Sequence, residues 1–261
     1  MALTLFQLTS YLNYWLNAVD EHSIHSPYFF DLYTNVIKNS KPNVGFDKIE
    51  AIRAKLVQDQ SQITVRDLGA PSQYFKSDKR TIATVAASSL APTKMALLLY
   101  RLAAHIKAKQ IVELGTSFGV TTLYLSKCTN ASIYTFEGNV PMLNIALTNF
   151  ESTETSNIVL VEGNIDETLP EFVEANRKLD FALMDANHRY EPTIKYFNLL
   201  VERMTSDAIV VVDDIYQSKE MAKAWKEIRG HELVYGSMDL FRFGLLFFDS
   251  SLNKQHYTCA W

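Results

Sequence analysis

The residues of this chain whose types and spacing could do chemistry are Glu113, Gly115, Thr116, Ser117 and Gly119, then Glu137, Gly163 and Asn164, Asp185 and His188, and the pair Asp213 and Asp214. In Ile111-Val112-Glu113-Leu114-Gly115-Thr116-Ser117-Phe118-Gly119 a short apolar run ends in an acid and breaks into two glycines four residues apart. That pattern reads as a strand, a tight turn and a helix start. Gly115 lets the backbone turn sharply, Gly119 lets the next helix approach the strand, and the free N–H groups of that helix's first turn suit a small polar ligand. Glu137 stands 22 residues beyond Gly115 (137 minus 115), the spacing at which an acid closing a second strand accepts hydrogen bonds from ribose hydroxyls. A nucleoside is therefore expected. The turn offers no G-x-G-x-x-G, so a pyrophosphate is not.

The elements that position these residues follow from the periodicity. Leu5, Leu8, Leu12, Trp15, Leu16 and Val19 recur at helical spacing, and a second helix follows Ser26-Pro27 through Phe30, Tyr33 and Ile37. His22 and His25 lie in the connection and read as solvated or hydrogen-bonding histidines. A helix is expected over Asp47 to Gln58 and irregular structure from there to Leu90. Within that stretch Asp67-Leu68-Gly69-Ala70 imitates the glycine turn, but Pro71 follows and no helix begins; Lys76, Lys79 and Arg80 beside Tyr74 and Phe75 read as a solvated basic face.

After Pro92 helices and strands alternate. Met95 to Ile106 leads into the strand Gln110 to Leu114. Further strands are expected over Ser132 to Phe136, Ile158 to Val161, Leu179 to Met184 and Ala208 to Val212, with helices between them, one marked by Ile194, Phe197, Val201 and Met204 and the last by Met221, Trp225 and Ile228. This order predicts an α/β fold, a doubly wound Rossmann-like parallel sheet with ligands at its carboxyl edge. Glu232 to Tyr235 and Leu240 to Phe248 are expected to close it as an antiparallel hairpin turning at Gly236-Ser237-Met238-Asp239. The strands end in Glu113, Glu137, Glu162-Gly163-Asn164, Asp185 and Asp213-Asp214, all at that one edge. The organisation expected is an N-terminal helical cap or lid over 1–90 and a nucleoside-binding domain over 91–261.

Composition limits the partners. A net charge of -4 gives no general attraction to nucleic acid or anionic membrane, no apolar run is long enough to span a bilayer, and the first 37 residues carry no Lys or Arg for a signal peptide. Cys128 and Cys259 form no disulfide framework and read as buried packing residues of a reducing compartment. The expectation is a cytoplasmic protein with a small-molecule partner. Tyr11, Tyr14, Trp15, Tyr28 and Phe29 read as core or homodimer packing.

At the glycine turn and the acidic strand ends the sequence resembles the class I S-adenosylmethionine-dependent methyltransferases, specifically the small-molecule O-methyltransferases related to catechol O-methyltransferase and the sugar and macrolide O-methyltransferases. The resemblance runs from about Ala91 to Phe248. It implies a sheet in the order 3-2-1-4-5-7-6 with the seventh strand antiparallel. It implies that Glu113 to Gly119 hold the methionine end of S-adenosyl-L-methionine, that Glu137 holds its ribose and that Gly163-Asn164-Ile165 flank its adenine. Asp185-Ala186-Asn187-His188-Arg189-Tyr190-Glu191 is similar to the D-G-D-H-x-Y-E segment of one branch, with Ala186 and Asn187 in place of glycine and aspartate, and the catechol-type lysine is absent. By the same resemblance Asp185, which also lines the cofactor site, joins Asp213 and Asp214 in holding a divalent ion such as Mg²⁺, and His188 removes the proton of a hydroxylated acceptor. The rival readings are a nicotinamide-dependent oxidoreductase on the same architecture and a cofactor-binding partner protein without catalysis.

Overall fold

A computed structural model describes residues 4–40, 44–65, 78–175 and 178–261. The Asp67-Leu68-Gly69-Ala70 imitation of the glycine turn, Pro71, Tyr74, Phe75 and Lys76 lie outside the described residues. The chain divides into two compact units, Lys41–Ala175 and the combination of Met1–Ser40 with Asn176–Trp261.

The second of these begins with α1 (Leu5–Asn17), opened by a capping box in which the Gln7 N–H donates to Thr4 Oγ1 and the Thr4 N–H donates to Gln7 Oε1. Its apolar positions do not fill a core. Leu5, Leu8, Leu12, Trp15 and Leu16 are exposed, and the buried residue is Tyr14, whose hydroxyl donates to the Cys259 carbonyl at 2.6 Å. Helix α2 (Pro27–Asp31) starts at the proline after Ser26 and runs on as a wider turn over Leu32–Ile37, burying Phe29, Leu32 and Tyr33 completely.

In the unit Lys41–Ala175, helix α3 (Asp47–Leu56) forms where its periodicity places it. Beyond it, the described residues 58–65 and 78–90 carry regular elements where irregular structure is expected. Strands β1 (Gln62–Thr64) and β2 (Lys79–Thr81) pair antiparallel, and Thr81 caps α4 (Ile82–Ser89) by accepting from the Thr84 N–H. Both strands are three residues long, too short for an alternating pattern to register. Helix α5 (Thr93–His105) leads into β3 (Gln110–Leu114), followed by α6 (Val120–Leu125), β4 (Ser132–Glu137), α7 (Val140–Ser152), β5 (Ile158–Glu162) and α8 (Ile165–Glu174). The strands are parallel in the order β5-β4-β3, with Leu114 beside Phe136 and Glu137 beside Glu162, so their carboxyl ends share one edge. The core joins Ile49, Ile52 and Leu56 of α3 to Phe118, Leu123, Tyr124, Ala146 and Phe150. A half-buried acid ties its helices together: the Glu50 carboxylate accepts from the Tyr124 hydroxyl at 2.6 Å, Thr93 Oγ1 at 2.8 Å and Arg53 Nε at 2.9 Å. Among the described residues no single helix is long and apolar enough to cross a membrane.

Past residue 177 come β6 (Leu179–Met184), α9 (Tyr190–Val201), β7 (Met204–Val212), α10 (Lys219–Ile228), β8 (Gly236–Asp239), β9 (Gly244–Phe247) and β10 (Gln255–Thr258). Met204 opens β7 instead of extending α9, because the helix ends at Val201 and the chain pairs at once with Leu179. The terminal hairpin exists but is shifted. Gly236–Asp239, expected as its turn, is itself a fully buried strand, and the chain reverses over residues 240–243, where Phe241 takes a φ of 66°. Partners from afar allow that burial: Ser237 Oγ bonds His256 Nδ1 at 2.8 Å, and the Asp239 carboxylate accepts from the Phe241 N–H at 2.8 Å and the Tyr216 hydroxyl. In the numbering of the expected order, 3-2-1 is present within Lys41–Ala175. The part after residue 177 supplies 4-5-7-6, with β9 antiparallel to both neighbours and β10 added beside β8.

Candidate active site

The glycine turn between β3 and α6 departs from ordinary backbone at three places. Gly115, Ser117 and Gly119 have φ of 101°, 51° and 76°, all in the left-handed region. The N–H groups of Gly115 and Thr116 both donate to the Phe136 carbonyl, at 3.2 and 3.0 Å, so the turn hangs from the end of β4. Glu137 grips it from there. Its Oε2 accepts from the Ser117 N–H and its Oε1 from the Asn139 N–H, each at 2.8 Å. Burial raises the Glu137 pKa while these N–H groups oppose the rise. On the helix side the Asn149 side chain donates to the Phe118 carbonyl at 2.9 Å.

Glu113 is 1% exposed and points into its own cluster of hydroxyls. Its Oε2 accepts from Thr122 Oγ1 at 2.5 Å and Thr135 Oγ1 at 2.7 Å, and the Thr135 hydroxyl also meets that of Thr116 at 2.6 Å. Burial pushes the Glu113 pKa up to about 7, with the two threonine donors working against the rise. The folded protein therefore binds a proton there that the unfolded chain, titrating near 4.5, has released, and this contribution to stability falls as pH rises from about 4.5 to about 7. The shift corresponds to about 3 kcal/mol. Glu113→Gln should remove that slope: the melting temperature of the variant minus that of wild type should climb by on the order of 5 °C between pH 5 and pH 8. A constant difference across the range would show that Glu113 titrates normally.

After β5, Gly163 (φ 131°) donates its N–H to the Glu137 carbonyl at 3.0 Å, and Asn164 caps α8 by accepting from the Asp166 N–H at 3.1 Å. Gly115 to Gly119, Glu137, Gly163 and Asn164 thus lie on adjoining strand ends of one unit, with Glu113 beneath them.

The other sequence-designated residues lie in the second unit, on the ends of β6 and β7. Asp185 Oδ1 is 3.5 Å from His188 Nε2, and the loop that returns the histidine puts Asn187 and His188 at φ of 67° and 35°. Asn187 Oδ1 is buried without a hydrogen-bond partner, while its Nδ2 reaches the Tyr196 hydroxyl at 3.3 Å. Burial, reinforced by the negative Asp213 and Asp214, holds the Asp185 carboxyl well above its ordinary value, and Asp214 is raised by burial and by Asp213.

One residue here was not anticipated. Arg242, in the turn between β8 and β9, grips the buried Asp213 with both ends of its fork, Nε to Oδ1 at 2.9 Å and Nη2 to Oδ2 at 3.0 Å, with Asp214 Oδ1 3.4 Å from Nε. Burial works against its charge, and the surrounding carboxylates overcome that to hold its pKa above the usual arginine value. Of the expected metal ligands Asp185, Asp213 and Asp214, the guanidinium occupies both oxygens of Asp213 and faces Asp214, and among the described residues no group of three His, Cys, Asp or Glu side chains is arranged to hold an ion. The signal was the β7–β9 register. Val212 pairs with Gly244, so the next facing position sets Asp214 against Arg242, where the Ile215 N–H donates to the Arg242 carbonyl at 3.2 Å.

Residues 112–215 match a family model described as a methyltransferase domain. No curated protein matches the chain. Among solved structures, a Podospora anserina methyltransferase bound to S-adenosylhomocysteine aligns with a TM-score of 0.61 at 14% identity, over 86% of this chain and 97% of that one. An O-methyltransferase from Bacillus cereus, in complex with the same molecule, gives 0.59 at 15% identity over 83% and 96%. The Streptomyces achromogenes O-methyltransferase of tomaymycin synthesis, in complex with S-adenosylmethionine, gives 0.55 at 18% identity over 61% and 82%. At these identities the likeness is one of fold. This is the Rossmann-like architecture of class I methyltransferases.

Proposed function

We propose that this chain is an S-adenosylmethionine-dependent O-methyltransferase acting on a hydroxyl of a small molecule. The observation that carries the reading is the left-handed turn Gly115 to Gly119 gripped by Glu137, within the span that matches the methyltransferase domain. S-adenosylmethionine supplies a methyl group on a sulfonium, poised for in-line displacement by an oxygen. The turn's glycines carry no side chain, which suits a close approach by the polar methionine end of such a donor. Each Glu137 oxygen has a further lone pair beyond the one given to the backbone, which suits the ribose hydroxyls. Gly163 and Asn164 flank the adenine.

Transfer forms an oxygen–methyl bond as the sulfur–methyl bond breaks, and the hydroxyl proton must leave. His188 receives it, with Asp185 at 3.5 Å fixing the ring and balancing the charge it gains. The partnerless Asn187 Oδ1 offers a buried acceptor for a ligand donor beside them. We place the protein in the cytoplasm, with the helical segment before residue 91 as the cap of the domain over 91–261. The exposed apolar stripe on α1 supports a homodimer, which sedimentation velocity would register.

Titration calorimetry tests the donor. Wild type should bind S-adenosylhomocysteine, and Glu137→Ala should bind it at least about tenfold more weakly, a loss of about 1.4 kcal/mol or more. Absence of binding to both S-adenosylhomocysteine and S-adenosylmethionine would sink the reading. With an acceptor in hand, His188→Ala should lose the acidic limb of the pH–rate profile.

A further inference from the structure

We propose that the Arg242 guanidinium stands where a divalent cation would otherwise sit between the ends of β6 and β7, and that methyl transfer by this chain needs no metal. The second half rests on the methyltransferase reading; the first does not.

A magnesium-type ion needs several oxygens with open lone pairs in near-octahedral array. Here each acid has a prior engagement. Both Asp213 oxygens are held by the planar fork of Arg242, and its Oδ1 also accepts the Asp214 N–H at 2.8 Å. Asp214 Oδ2 accepts from Gln217 Nε2 at 3.2 Å while its Oδ1 faces Arg242. Asp185 Oδ1 faces His188. The cation already present is built into the sheet: the β7–β9 register and the Ile215 N–H bond fix the arginine backbone beside Asp214. Asp213 is almost wholly buried and Arg242 about one-third exposed, so an incoming ion would have to break a largely desolvated bidentate pair to reach a ligand. Arg242 Nη1 takes no part in gripping Asp213, which leaves a fixed positive group able to face an acceptor oxygen.

The test uses Mn²⁺ as the probe, followed by the loss of its free electron-paramagnetic-resonance signal on the full chain without nucleotide or acceptor. Wild type should take up no stoichiometric Mn²⁺ below roughly 1 mM. Arg242→Ala, or Arg242→Met if the alanine variant does not fold, should bind one Mn²⁺ at least tenfold more tightly than wild type and lose it again when Asp213→Asn is added. One tightly bound Mn²⁺ per wild-type chain, or an arginine variant that binds no better than wild type, overturns the assignment. In the transfer assay, rates should be the same with EDTA and with added Mg²⁺; activity abolished by EDTA and restored by Mg²⁺ overturns the metal-free half. A chain that transfers no methyl to any acceptor would refute the methyltransferase reading, and with it the metal-free half, while the Mn²⁺ arms still decide the site.

Discussion

Gly119→Ala should lower the melting temperature of the full chain by about 5–10 °C and weaken S-adenosylhomocysteine binding at least about tenfold. Two independent effects combine. A left-handed residue with a Cβ costs about 1–2 kcal/mol, and Gly119 has a φ of 76°. The added methyl also has no room: it would lie 2.6 Å from Phe150 Cζ and 3.2 Å from Ala146 Cβ, where overpacking typically costs about 1–3 kcal/mol. Both neighbours are on α7, the helix whose Asn149 holds the Phe118 carbonyl, so relief of the clash moves the turn that carries the Gly115 to Ser117 N–H groups. The parts separate in a double mutant. In a Phe150→Ala background the clash with the ring vanishes and the tight approach to Ala146 Cβ remains, so Gly119→Ala should then cost little beyond the left-handed share, about 1–2 kcal/mol. Equal effects in both backgrounds would show that backbone conformation, not the close approach of α7, requires the glycine.

That glycine was legible because its requirement is local: a strand, a turn and a helix in nine consecutive residues. The parallel strands were legible for a related reason. Ile111 to Leu114, Ile133 to Phe136, Phe181 to Met184 and Ile209 to Val212 are apolar without interruption apart from Glu113 and the pair Tyr134 and Thr135, as strands buried on both faces must be. Gly236–Asp239 failed the same test. Glycine, serine and aspartate carry no strand signature, and their burial depends on His256, Tyr216 and a Phe29 ring packed where a Gly236 Cβ would project, all remote in sequence. Leu5, Leu8, Leu12, Trp15 and Leu16 mislead in the other direction: the periodicity of α1 is that of a core face, yet the face is exposed. Periodicity gives the helix but not what covers it. Arg242 was invisible for a third reason. Its meaning is a pairing across the β7–β9 register, and a hairpin placed with its turn at Gly236–Asp239 puts it opposite nothing in particular.

Arg242→Leu should destabilise the chain by about 3–5 kcal/mol at neutral pH, the most of any single change at the acidic strand ends. The leucine keeps the apolar stem and removes the charge that meets both oxygens of Asp213, a carboxylate that is 1% exposed. An unpaired buried anion is costlier than a buried pair, so the loss comes mainly from what is left behind. Asp213→Asn should be milder, because the arginine it strands is about one-third exposed and keeps Asp214 at 3.4 Å. The double variant Asp213→Asn with Arg242→Leu should recover part of the deficit, giving a coupling energy of about 1–3 kcal/mol in the cycle. The pH dependence follows from the sign of the shifts. Asp185 and Asp214 already titrate above their unfolded values, through burial first and then negative neighbours, so the folded protein binds protons there that the unfolded chain has released. Such groups oppose folding more as pH rises, and removal of the cation, whose charge lowers both of their pKa values, strengthens that opposition. The Arg242→Leu deficit should therefore be largest near pH 8 and shrink steadily toward pH 5, as read by urea or thermal unfolding of the two proteins side by side. A deficit independent of pH would mean that the arginine acts through packing alone. One that narrows on acidification identifies it as the counterion that lets three carboxylates end two neighbouring strands.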